Sequence, residues 1–143
     1  MSARPRGVRN NNPGNIDRTD VVWQGEDRSI EARRAEPRFC VFKSPEYGFR
    51  ALARVLRTYR ERYRLTTVRG IVERWAPPVE NDTGAYIAQV AHAVGVSPDA
   101  EVDVRRMAHA LPIAKAIAKH ENGGDYWPES TIKSGLVLAG VID

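Results

Sequence analysis

The chain has 143 residues, of which 42% are hydrophobic and 28% charged, with a net charge of +4. That length fits one domain, which buries about two-thirds of its unfolded surface and needs no disulfide staple. One cysteine excludes an internal disulfide, the scattered His92, His109 and His120 give no metal-ligand spacing, and no window approaches the roughly 18 apolar residues of a membrane span. No metal and no cofactor are therefore expected.

Residues 1–74 hold 17 Lys/Arg against 9 Asp/Glu, a net of +8, while residues 75–143 hold 5 against 9, a net of −4. The basic half would attract a polyanion, and charge alone does not choose between nucleic acid and an acidic envelope polymer. Residues 1–6 are basic and Pro-containing and are expected to lack fixed structure. Asn10-Asn11-Asn12-Pro13-Gly14-Asn15 is a dense turn signal. Val21-Val22-Trp23 ahead of Gln24-Gly25 reads as a short strand entering a turn. Residues 29–35 read as a weaker strand and 39–42 as a better one, which together predict a small N-terminal β-lobe of two or three strands. Cys40, inside Arg-Phe-Cys-Val-Phe, reads as a small buried hydrophobe rather than a nucleophile.

Helices follow. Ser44 suits an N-cap and Pro45 the first helical position, and Tyr47, Ala51, Leu52, Val55, Leu56, Tyr59 and Tyr63 then recur at helical spacing. Arg50, Arg54, Arg57, Arg60 and Arg64 take the other face. Thr67 caps a helix to Trp75 that Pro77-Pro78 stops, and Asn81 or Asp82 caps another that Gly95 closes. A segment from Asp103 reaches Leu111, where Pro112 either kinks it or opens the next helix, 113–121. Asn122-Gly123-Gly124 stops that helix, and the last one runs from near Pro128 to about Ala139.

Ile113, Ala114, Ile117, Ala118 and Glu121 share one helical face. A carboxyl at the rim of an apolar face is partly desolvated, and the helix C-terminus adds partial negative charge; both disfavour the ionised form. An acid that keeps its proton can protonate the leaving oxygen of a glycosidic bond, and the following glycines leave room for a sugar. The alternative is an exposed carboxylate at a frayed end, paired with Lys119 or Lys133. A second carboxylate would come from the presumed β-lobe: Glu26 and Glu31 are the candidates, with Asp27, Asp17, Asp20 and Glu36 nearby. Trp23, Trp75, Tyr86, Tyr126 and Trp127 could stack on sugar rings, or pack in the core. The arginine-rich helix carries no recognised nucleic-acid module, so a solvated face is expected there and no specific nucleic acid.

Arg6-Gly7-Val8-Arg9-Asn10-Asn11-Asn12-Pro13-Gly14-Asn15-Ile16 resembles the opening of phage-encoded lysozyme-superfamily proteins, known as endolysins or virion-associated structural proteins. Trp23-Gln24-Gly25, the run Phe39-x-x-Phe42-x-Ser44-Pro45-x-x-Gly48-x-Arg50-Ala51, and Arg74-Trp75-Ala76-Pro77-Pro78-x-Glu80-Asn81-Asp82-Thr83-x-x-Tyr86-Ile87 match further, as does His120-Glu121-Asn122-Gly123. A weaker similarity links the chain to lysozyme-like N-acetylglucosaminidases, whose catalytic Glu ends a helix ahead of the Asn-rich turn. No such helix precedes residue 10 here; the one ending in Glu121 would take its place in a circularly permuted chain.

The resemblance implies a single α+β, mainly α, lysozyme-like domain over residues 1–143. It further implies a peptidoglycan glycan-strand hydrolase or lytic transglycosylase, with Glu121 as general acid and Glu26 or Glu31 assisting. Asn11, Asn12, Asn15, Trp23, Tyr86 and Tyr126 would bind substrate. The partners expected are peptidoglycan glycan strands and the anionic cell envelope, with the protein a monomer. With no apolar leader at its N-terminus, it is expected in a host cytoplasm until release toward the periplasm or cell wall, or in the virion. The rival reading is a virion structural protein that keeps the fold without catalysis.

Overall fold

The computed structural model describes residues 4–79 and 81–143. Residues 1–3, half of the opening expected to lack structure, and Glu80, part of the third motif, lie outside the described residues. Among the described residues the helices are α1 (Arg6–Arg9), α2 (Ile30–Ala35), α3 (Pro45–Tyr63), α4 (Val68–Trp75), α5 (Thr83–Val94), α6 (Met107–Asn122) and α7 (Glu129–Leu138).

The helical body is built from α3 to α7, with α3 packed along α7, α5 on α6, α4 on α5 and α6 on α7. Its start is the expected one: Pro45 occupies the first turn of α3 and Ser44 the cap position, although the Ser44 side chain makes no capping bond. Phe49, Leu52, Ala53 and Leu56 then bury one stripe of α3. They meet Ile113 and Ile117 of α6 and Ile132 and Leu136 of α7 in one continuous core. Each fully buried Leu, Ile or Phe there contributes about 1.5–3 kcal/mol.

Caps fix the other boundaries. The Thr67 hydroxyl accepts from the Gly70 amide and the Asp82 carboxylate from the Ala85 amide. Gly95 closes α5 with φ +82° and Gly123 closes α6 with φ +72°, left-handed values that glycine adopts without cost. Pro112 does not open a new helix; it lies inside α6, which is continuous from Met107. The missing proline N–H costs one helical bond, and the buried face of Ala110, Ile113, Ala114 and Ile117 holds the helix regardless. The chain's end pins the entry to α6: the Met107 amide donates to the Ile142 carbonyl at 2.7 Å and the Ile142 amide to Arg105 at 3.0 Å.

The N-terminal lobe departs from expectation. Among the described residues there is no extended strand, only isolated bridges, of which Asp17–Phe39 and Glu26–Phe42, both antiparallel, fall in this lobe. The structure is mainly helical, and the expected β-lobe is replaced by turns and short helices. Residues 29–35 form a helix rather than a strand: the Ser29 hydroxyl accepts from the Ala32 amide, and Glu31, Ala32, Arg33, Arg34 and Ala35 are helix formers. Val21 and Val22 are exposed and unpaired in any ladder, since no apolar surface faces them. Cys40 is fully buried, and its thiol is pushed up to about 12, first by burial and then by the Glu26 carboxylate. It is an inert packing residue.

No described helix is long and apolar enough to cross a membrane.

Candidate active site

The site forms where the end of α6 meets the Asn-rich turn. Asn122, buried, donates to the Pro13 carbonyl at 3.0 Å and to Ala118 at 2.9 Å, which clamps the last turn of α6 onto the N-terminal segment. Asn12 holds that segment in shape. Its amide donates to the Ile16 and Cys40 carbonyls, both at 3.0 Å, and its carbonyl oxygen accepts from the Ile16 amide at 3.0 Å. Asn15 sits at φ +48°, a left-handed conformation that asparagine tolerates better than most residues, and so turns its side chain toward α6. At Gly14 a Cβ would lie 2.8 Å from the Trp75 ring, so only glycine lets that indole cover the turn.

Glu121 is half-buried between two donors. The Tyr86 hydroxyl donates to its Oε2 at 3.0 Å, and the Asn15 amide reaches Oε1 at 3.4 Å. Tyr86 is held in turn: its ring stacks on His120 at 3.7 Å between centroids. Burial first, and then the Glu121 carboxylate, push the Tyr86 hydroxyl well above the ordinary phenol range, against a smaller opposing effect from Trp75. It therefore stays protonated and serves as a fixed donor. His120 shares a 2.6 Å contact between Nδ1 and the Gln89 side-chain oxygen, which orients the stack.

In front of this carboxyl group an open cleft of about 360 Å³ is lined by Asn15, Asp17, Arg38, Phe39, Tyr59, Trp75, Asn81 and Glu121, among others. Arg38 and Asp17 pair at 2.9 Å on the opposite wall. A carboxyl group, a carboxamide and an indole facing one cleft can bind a polar ring and transfer a proton to it.

The structure brings Glu121, Asn15 and Tyr86 together and scatters the other expected site residues. Tyr86 touches Glu121, but its ring is fully buried, so it positions the carboxyl group and offers no stacking face. Asn11 and Asn12 do not line the cleft: Asn11 donates to the Phe42 carbonyl at 3.0 Å and Asn12 is completely buried, because both satisfy backbone groups of the lobe. Trp23 packs on the small cluster of Cys40, Phe42 and Ala51. Tyr126 lies edge-on to Trp127 at 6.3 Å, outside the cleft. The Glu26 side chain is wholly buried, accepting from the Trp23 amide at 3.1 Å and paired with Arg28 at 3.5 Å. Glu31 is exposed on α2. Neither Glu26 nor Glu31 reaches the cleft, and Asp17 is the second carboxylate that does. Glu121 is not paired with a lysine; Lys119 lies 3.7 Å from Asp125 instead.

Arg38, Tyr59 and Asn81 escaped the sequence reading. Tyr59 lies on the apolar stripe of α3, and its packing against Trp75 brings it to the cleft edge. Of the arginines on α3, Arg54 donates to the Ala139 carbonyl at 3.5 Å, Arg57 pairs with Glu61 at 2.9 Å, and Arg60 donates to the Val102 carbonyl at 3.1 Å. Arg54 and Arg60 tie the helix to its neighbours, and Arg57 pairs within it.

Fold and site thus define a mainly helical domain with one acid-bearing polar cleft at a helix end. No family model matches the sequence. The chain is 38% identical over 134 residues to Protein P5 of Pseudoalteromonas phage PM2, an alignment covering 92% of this chain and 79% of that protein. It belongs to the family of that phage protein.

Proposed function

We propose that this protein cleaves the β-1,4 glycan backbone of bacterial peptidoglycan, with Glu121 as the general acid, on a lysozyme-like domain whose chain is circularly permuted. The observation that carries the reading is the placement of Glu121: a half-buried carboxyl group on the cleft wall, held between the Tyr86 hydroxyl and the Asn15 amide. The permuted arrangement is supported by the 3.0 Å bond from Asn122 to Pro13, which sets the Glu-bearing helix end against the Asn-rich turn. Kinship with a phage protein supports a phage context, in which such an enzyme opens the host wall.

In the reaction Tyr86 holds Oε2 and Asn15 holds Oε1, so that the carboxyl group keeps one orientation while it passes a proton to the glycosidic oxygen. Protonating the glycosidic oxygen lets the bond to the anomeric carbon break, and charge develops on the sugar ring. Glu121, now a carboxylate, takes a proton from the incoming nucleophile. That nucleophile is water in hydrolysis, or the sugar's own hydroxyl in transglycosylation.

Turbidity loss of outer-membrane-stripped bacteria measures the activity. Glu121→Gln is expected to lower the rate at least about 100-fold. Near-normal clearing by that variant would sink the assignment, and an inert wild-type protein would favour a virion structural role. Mass spectrometry of the fragments separates reducing ends from anhydro ends.

A further inference from the structure

Beyond Tyr59 the surface does not end. A second, wider groove of about 900 Å³ lies between the end of α3 and α4, lined by Tyr59, Tyr63, Leu65, Gly70, Glu73, Arg74 and Pro77. Tyr59 lines both depressions, and its ring lies 6.5 Å from that of Trp75. Trp75, Tyr59 and Tyr63 thus form an aromatic row leading away from Glu121. Tyr63 is 43% exposed. The Arg74 guanidinium sits 3.5 Å over the Tyr63 ring and 5.4 Å from that of Tyr59. That stacking holds a cation in a fixed place on the groove wall without using its hydrogen-bond donors.

We propose that this groove is a distal subsite for the same glycan strand, with Tyr63 holding Arg74 in place and Arg74 as the reader of a carboxylate borne on the strand or its peptide stem. The proposal rests on the function proposed above. The occupant follows from continuity and charge. A strand that crosses Tyr59 must also lie against Glu121 and Asp17 in the first cleft. Arg38 is paired with Asp17 there, so the cleft wall offers a nucleic acid, with a phosphate at every sugar, no net positive charge. A glycan with carboxylates only on alternate sugars can set hydroxyls against Glu121, Asp17 and Glu73 and an acid against Arg74. Aromatic faces suit the apolar faces of sugar rings.

The test compares a long substrate with a short one. Tyr63→Ala/Arg74→Ala removes an exposed ring and an exposed cation, so the melting temperature should hold and circular dichroism checks it. The double variant is expected to raise KM on polymeric peptidoglycan about tenfold, with kcat nearly constant, and to raise KM on a tetrasaccharide several-fold less. Equal loss on both substrates, or no loss on the polymer, overturns the subsite. So does single-stranded DNA that displaces the wild-type protein from insoluble peptidoglycan but not the double variant, since the groove would then be a nucleic-acid site. An inert wild-type protein would overturn the enzymatic reading instead, and activity surviving in Glu121→Gln only the choice of acid, so the failures are distinguishable.

Discussion

In the helical body, Leu52, Ile113, Ile117 and Leu136 are lost from solvent entirely and meet only apolar neighbours. In the N-terminal lobe the corresponding places belong to Asn10, Asn12 and Glu36, all buried and all hydrogen-bonded, beside a small apolar cluster of Cys40, Phe42 and, from α3, Ala51. Apolar burial is non-directional and tolerates small adjustments. A polar staple works only at one geometry, and a missing partner leaves a buried group unsatisfied. The half of the cleft that aims Asn15 and seats Gly14 under Trp75 is therefore built from the more exacting kind of contact. The half that carries Glu121 stands on the more forgiving kind.

The largest effect should come from opening the body. Ile113→Ala removes a fully buried side chain and should cost about 3 kcal/mol, within the usual 2–5, while the folded fraction keeps its turnover. Thermal melts alongside active-site-normalised rates check both parts. A loss of turnover per folded molecule would break the contrast, because it would mean that body packing also sets the cleft.

The converse variant is Asn12→Ala. It deletes three hydrogen bonds and leaves the Cys40 carbonyl without this donor, for about 2 kcal/mol of destabilisation. Turnover should fall by more than stability alone explains, since the turn carrying Asn15 loosens. An unchanged rate in the folded fraction would show the lobe to be a passive cover.

A smaller effect sharpens the comparison by pH. Burial pushes the Glu36 carboxyl up, but bonds from the Phe39 and Arg38 amides and the Asn10 side chain, with Arg6 at 3.2 Å, outweigh it and hold it below the ordinary 4.5. The unfolded chain then binds the proton more tightly. The stabilisation is present above about pH 4.5 and is lost as pH falls through the lower folded value. Melting temperatures from pH 7 to pH 3 should drop less steeply in Glu36→Gln than in the wild type. Parallel curves would mean that the exposed acids, not this staple, govern acid unfolding.

The body was the legible part of the chain. Periodicity located α3, and Thr67, Asp82, Gly95 and Gly123 marked boundaries that local chemistry enforces within a few residues. The lobe was not, because polar residues at irregular spacing carry no period. The Ser29 cap was there to be read, yet Val21 and Val22 drew attention to strands that have no partner. Of the site, Glu121 and Asn15 were found, one from the apolar face beneath it and the other from a motif. Glu26 looked equal to them in sequence, and Asp17, weaker on paper, is the carboxylate that lines the cleft.

The sequence by itself determined the start of α3, the bounds of α4 and α5 and the end of α6, that Cys40 is buried, and that an acid stands at the last turn of α6. These depend on neighbours three or four residues away. Only the tertiary structure decided which donors hold that acid, since Tyr86 and Asn15 come from 35 and 106 residues away. It also decided that Asn12 is a staple rather than a contact for ligand, and that Tyr59 joins two grooves. Long-range approach is set by the shape of the packed core, a property of all the side chains at once and of no short stretch alone.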